Sequence, residues 1–168
     1  MKIYLAKAVG TGPTTLSAFD AALNSCGIAN YNLLRLSSVI PPSSTLVEAA
    51  DSGVAQEVMP GQWGDRLYVV MADYRTATVG EQAWAGIGWV QDTETGKGLF
   101  VEHEGNSEDY VRQSIEASLK ALMATRNIDF GEIKMIVAGG TCTAQPICAM
   151  AVAVYQSSSW DNKAEQLT

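Results

Sequence analysis

Only two stretches of this chain carry apolar residues at helical spacing, one near residue 20 and one near residue 115. The other apolar segments alternate or run in short blocks of strand length. Two helices so unevenly placed cannot cover both faces of a doubly wound parallel sheet, which needs a crossover after nearly every strand. The spacing therefore predicts an α+β fold. Residues 2–9 (KIYLAKAV) read as a strand broken by Gly10, Gly12 and Pro13. A helix follows, capped by Thr14 or Thr15, with Leu16, Phe19, Ala22 and Leu23 on one face and Gly27 after its last turn. Residues 31–40 read as one strand stopped by Pro41-Pro42, and residues 43–65 as a loop. Strands are expected at 66–76, 82–91 and 98–104, the last two as an antiparallel hairpin through Asp92-Thr-Glu-Thr-Gly-Lys-Gly. The second helix opens at Asn106 or Ser107, carries Val111, Ile115, Leu119 and Leu122, and ends near Arg126-Asn127. Strands at 132–138 and 147–155 and a frayed polar tail, 156–168, complete the order.

Several function classes drop out. The 168 residues, 47% hydrophobic and 17% charged, suit one globular domain over 1–168 that needs no staple, since a domain of this size buries about two thirds of its unfolded surface. Eleven basic and eighteen acidic residues leave a net charge of −7 with no basic cluster, so no nucleic-acid partner is expected. The longest apolar runs, 67–72 and 147–155, fall far short of the ~20 residues of a membrane span. No membrane partner is expected, and the absence of a signal-like N-terminal pattern implies the cytoplasm. Cys26, Cys142 and Cys148 form no CxxC pair and read as reduced thiols. The single histidine, His103, leaves no metal site and no G-x-S-x-G triad, and reads as a packed or half-solvated strand residue. Gly10-Thr-Gly-Pro-Thr-Thr lacks the lysine and spacing of a phosphate loop and reads as a strand-to-helix turn.

The segment that stands apart is Leu36-Ser37-Ser38-Val39-Ile40-Pro41-Pro42, where two hydroxyl residues interrupt an apolar strand just before a double proline. Two readings stand. Either the serines are incidental to a strand end, or Ser38 attacks its own preceding peptide bond in an N-to-O acyl shift assisted by strain and an oxyanion partner.

The run GTGPTTLSAFDAALNSCGIANYNLLRLSSVIPP (residues 10–42) resembles the N-terminal part of pyruvoyl-dependent arginine decarboxylases, with their AFD-x-AL helix, N-L-x-R-hydrophobic-S-S strand and Pro-Pro stop. The likeness continues through GEQAWAGIGWV (80–90), KGLFVEHEG (97–105) and CAMAVAVYQS (148–157). It implies a single-domain αββα sandwich, cleaved by itself between Ser37 and Ser38 into a β chain (1–37) and an α chain (38–168). Ser38 would become a covalent pyruvoyl group through an ester, β-elimination and loss of ammonia, with no pyridoxal phosphate and no metal. That carbonyl would take the substrate amine and act as electron sink in the conversion of L-arginine to agmatine and CO2. Glu102 matches the family's proton donor, with Glu104 on the same strand face as its competitor. Asp20 would receive the guanidinium in a bidentate pair. Asn32 would assist processing or orient the adduct, and Ser37 would end the β chain beside the substrate. The resemblance also implies a homotrimer of αβ protomers, or a multiple of it, with active sites between subunits, an assembly in which the small-residue strand 83–90 finds a use. Two alternatives remain: a processing-dead trimeric structural or regulatory homologue, and a pyruvoyl decarboxylase of another amino acid.

Overall fold

A computed structural model describes residues 1–49 and 61–160. Among these residues two helices and nine strands follow one another as β1 (Lys2–Thr11), α1 (Thr15–Ser25), β2 (Asn32–Arg35), β3 (Val39–Ile40), β4 (Thr45–Glu48), β5 (Arg66–Thr76), β6 (Gln82–Gln91), β7 (Gly98–Gly105), α2 (Glu108–Arg126), β8 (Lys134–Thr141) and β9 (Ile147–Ser158). The strands form two sheets, one of order β2-β5-β9-β1-β4 and one of order β3-β7-β6-β8. α1 packs on the outer face of the first and α2 on the outer face of the second, so the layers are helix, five strands, four strands, helix. This is the expected αββα sandwich.

Alternation along the central strands builds the layers. On β9, Cys148, Met150, Val152 and Val154 face α1, while Ala149, Ala151, Ala153 and Tyr155 face the other sheet. Burial on both faces is why 147–155 reads as an unbroken apolar run. The helices are set by local chemistry. Thr14 and Ser17 form a reciprocal capping box on α1, Ser107 caps α2 with Glu108 and Asp109 in its first turn, and Asn127 closes α2 in the left-handed conformation (φ 51°). In the β6–β7 hairpin the Asp92 carboxylate accepts from the backbone N–H of Thr95 and Glu94, which holds its pKa below the usual range.

Both helices approach their sheets over glycine. A Cβ on Gly10 would stand 2.3 Å from Ala18 O and from Ala22 N, so α1 meets β1 backbone to backbone. A Cβ on Gly88 would stand 2.1 Å from Ile115 Cγ2 of α2. The small-residue strand 83–90 thus has a use within the chain. Ala83, Ala85 and Ile87 pack into the layer between the sheets, and the glycines between them seat α2.

Three sequence expectations change. Residues 31–40 are not one strand: β2 pairs in parallel with β5 of the first sheet, and β3 pairs antiparallel with β7 of the second. Residues 36–38 carry the chain across, a change of partner that alternation along one strand cannot reveal. The region read as loop, 43–65, contains β4, parallel to β1, whose four residues are too few to show a period; its residues 50–60 lie outside the described part. The tail read as frayed from 156 onward continues β9 to Ser158, held by Tyr68↔Gln156 and Arg66↔Ser158 pairing, and residues 161–168 lie outside the described part. The three cysteines are free and buried, and among the described residues no helix is long and apolar enough to cross a membrane.

The contact at Gly10 makes a prediction. Gly10→Ala places a methyl against helix backbone that cannot rotate away, and is expected to cost about 1–3 kcal/mol, as overpacking does. The urea-unfolding midpoint should fall accordingly.

Candidate active site

The crossing at residues 36–38 leaves one sheet with Leu36 N–H on Val69 O (2.8 Å) and joins the other with Phe100 N–H on Ser38 O (2.8 Å). Between these two bonds the chain must turn sharply, and Ser38 takes the strain with φ 65°. A left-handed non-glycine residue costs about 1–3 kcal/mol and persists only where its surroundings hold it. Here the surroundings include Glu102 of β7. The Ser38 hydroxyl lies 2.9 Å from Glu102 Oε1 and 2.8 Å from Oε2, donating to the carboxylate.

β7 places that carboxylate. Its alternation puts Phe100 into the layer between the sheets and Val101 toward α2, so Glu102 shares the inner face with Phe100, and His103 shares the outer face with Val101. β3 pairs with β7 only at Val39↔Leu99 and Ile40↔Gly98, which leaves the edge of β7 beyond Phe100 uncovered by β3. A cleft of about 410 Å³ opens there, and both faces of β7 line it. Ser38, Phe100 and Glu102 contribute from one side, His103 and Ser118 from the other.

The structure brings together some of the residues expected from sequence and not others. Ser38 and Glu102, 64 positions apart, are in direct contact. Glu104 is exposed and its side chain has no hydrogen bond or ion pair among the described residues, so of the two candidate carboxylates only Glu102 meets Ser38. Ser37 is exposed, on the upstream side of the strained residue. Asn32 is held at the far end of β2, its Nδ2 donating to Gly64 O and its backbone N–H to Asp65 O. Asp20 is exposed on α1, on the outer side of the five-stranded sheet, and its side chain makes no hydrogen bond or ion pair among the described residues. Neither Asn32 nor Asp20 touches Ser38 or Glu102 within one chain.

Three residues at or beside the site were given no role from the sequence. His103 Nε2 and Ser118 Oγ of α2 lie 2.7 Å apart at the cleft, and the signal was the shared outward face of Val101 and His103. Tyr155, 7% exposed, donates its hydroxyl to Val39 O at 2.9 Å. The signal there was a phenol ending an aliphatic run, since a buried hydroxyl requires an acceptor.

A family model described as "Pyruvoyl-dependent arginine decarboxylase" matches residues 2–159. The chain belongs to that family. Among relatives, the pyruvoyl-dependent arginine decarboxylase of Halobacterium salinarum is 35% identical over 161 residues, covering 94% of this chain and 95% of that protein. Those of Pyrococcus abyssi and Thermococcus kodakarensis are 32% and 30% identical, each covering 91% of this chain and 93% of the relative. A solved structure of pyruvoyl-dependent histidine decarboxylase at pH 8 aligns with a TM-score of 0.46 and 15% identity, over 86% of this chain and 63% of that one. A pyruvoyl-dependent arginine decarboxylase carries its electrophile covalently, and the residues present fit such a group. A strained serine faces a cleft with its side-chain oxygen on a carboxylate, where an acyl group at the same position would stand. Among the described residues no group of three or more His, Cys, Asp or Glu is gathered to hold a metal ion.

Proposed function

We propose that this decarboxylase makes its own cofactor at Ser38 and uses it, with Glu102 as acid and Asp20 as guanidinium receptor, to convert L-arginine to agmatine and CO2. The observation that carries the reading is the Ser38–Glu102 contact at a left-handed residue. In the uncleaved chain the Glu102 carboxylate accepts from and orients the Ser38 hydroxyl, and Oγ adds to the Ser37 carbonyl carbon as its proton passes toward the departing nitrogen. The Ser37–Ser38 C–N bond breaks, its nitrogen takes the proton, and residue 37 is then held as an ester. Loss of the Ser38 α-proton expels the Ser37 carboxylate and frees chain 1–37. Water then replaces the nitrogen, which leaves as ammonia, so that chain 38–168 begins with a pyruvoyl carbonyl joined to Val39.

That carbonyl supplies an electrophile for the substrate's α-amine and a sink for the electrons released with CO2, chemistry otherwise given by pyridoxal phosphate. Glu102, already in hydrogen-bond reach of position 38, delivers a proton to the substrate carbon that lost its carboxylate. Glu104, exposed and with no side-chain partner among the described residues, is set aside. Asn32 and Ser37 are retained as lesser contributors, Asn32 by shaping β2 through Gly64 and Ser37 as the new chain end.

Asp20 can serve the site only from another copy of the chain, because its helix and the Ser38–Glu102 pair lie on opposite sides of the five-stranded sheet. We therefore place the active site between protomers of an αβ homotrimer or a multiple of it. Exposed Leu16 (68%) on the same helix and exposed Val39 (54%) beside the reacting residue support such an interface. The three buried thiols fit a reducing compartment, the cytoplasm.

Three outcomes test the reading. Ser38→Ala removes the attacking oxygen, and intact-protein mass spectrometry should find one uncleaved chain; cleavage at the same bond would sink the assignment. Glu102→Gln keeps an oxygen to accept from Ser38, so self-cleavage proceeds, but turnover falls by roughly 10²–10⁴, the usual worth of a positioned acid. Normal turnover in that variant, with loss in Glu104→Gln, would reverse the choice between the two carboxylates. Asp20→Asn should raise KM for arginine by about 10–100-fold, the worth of a charge-assisted hydrogen bond, with little change for citrulline and with pyruvoyl formation intact. Unchanged arginine kinetics would remove the basis for naming arginine and leave a pyruvoyl decarboxylase of another amino acid.

A further inference from the structure

Tyr155 belongs to the five-stranded sheet, yet its hydroxyl reaches across the core to Val39 of the other sheet. The residue it holds adjoins Ser38. In the β3–β7 ladder Phe100 N–H binds Ser38 O, so the next residue, Val39, turns its own N–H and C=O away from β7. An edge carbonyl of this kind is ordinarily left to water. Here the phenol takes it at 2.9 Å. The Tyr155 ring also stands edge-on to Phe100, with centroids 6.3 Å apart and planes at 70°. Phe100 is 1% exposed and is the residue whose N–H holds Ser38 O. One side chain thus fixes the two peptide units that follow and face the reacting residue, through its hydroxyl on one and its ring on the other.

The geometry points to Tyr155 as a positioning residue for the group at position 38. This rests on the reading that residue 38 carries the reacting carbonyl. β3 is two residues long and is followed by Pro41-Pro42, so the ladder gives it few bonds of its own. Before cleavage the upstream chain also tethers Ser38, through Leu36 N–H on Val69 O. After cleavage that tether is gone, and the reacting group is joined to the chain only through Val39, with Phe100 N–H on its amide carbonyl. Its placement against Glu102 then depends on how firmly Val39 is held. Burial raises the phenol's pKa, and the negative charge of Glu102 adds to the shift, so the hydroxyl keeps its proton and remains a donor at neutral pH. The role is one of geometry: Tyr155 need not touch substrate or exchange a proton with it.

Tyr155→Phe isolates the hydroxyl, because it keeps the ring beside Phe100, and Tyr155→Met removes both ring and hydroxyl. Each is made in the full chain and compared with the unmutated protein. Carbonyl-bearing chains are counted with a hydrazine reagent, kcat is expressed per such chain, and cleavage is followed by intact mass. Loss of the hydrogen bond should lower kcat of Tyr155→Phe roughly tenfold, the upper range for one neutral hydrogen bond. KM for arginine should stay within about twofold, since a displaced reacting group slows chemistry without removing a substrate contact. An unchanged kcat per carbonyl-bearing chain in Tyr155→Phe overturns the proposal, whether Tyr155→Met is active or not. The same holds if the loss of kcat is matched by an equal loss of folded protein on thermal unfolding. If the unmutated protein remains one chain without a carbonyl, the underlying reading fails instead, and the two failures are told apart.

Discussion

The passage of the chain from one sheet to the other at residues 36–38 is the constraint on which the site depends. Leu36 is the last residue bonded to the five-stranded sheet and Ser38 is already bonded to the four-stranded one. So short a crossing forces a turn, and a left-handed serine is the result. The sandwich can hold it there because both sheets are fixed independently, one by α1 over Gly10 and the other by α2 over Gly88. Strain at Ser38 is therefore opposed by the whole core and cannot relax by a local shift.

The same crossing explains why the Ser38–Glu102 contact and the cleft meet at this edge. A β3 of only two residues leaves β7 uncovered beyond Phe100, and the cleft forms in the space that a longer partner strand would have filled. Glu102 is on the uncovered part of β7, so its carboxylate meets Ser38 directly. A continuous strand over 31–40 would have paired with one sheet, relieved Ser38 and closed the cleft. The proline pair that stops the strand is thus tied to the cleft through topology, since it keeps β3 short.

Much of the fold was legible because burial imposes periodicity. Val111, Ile115 and Leu119 of α2 and the two-faced apolar run of β9 follow from which residues must leave water, and caps such as Thr14 and Ser107 act within a turn. β4 was not legible, because a four-residue strand has no period to read and exists through its pairing with β1. The small residues of β6 were legible as a feature but not as a use. Whether glycine seats a helix of the same chain or a neighbouring subunit depends on what packs over it.

By itself the sequence determined the α+β class, the two helices, the paired serines before a double proline and the family resemblance that singled out Ser38 and Glu102. Those are local patterns, or ordered strings of them, and they survive without coordinates. Only the tertiary structure decided that residues 31–40 divide between two sheets, that Glu102 rather than Glu104 meets the Ser38 hydroxyl, and that Tyr155 reaches Val39 from the opposite layer. It also separated Asp20 and Asn32 from that pair within one chain. The physical reason is sequence distance. Ser38 and Glu102 are 64 positions apart and Val39 and Tyr155 are 116, so their meeting is fixed by strand order and register, which the whole core sets together.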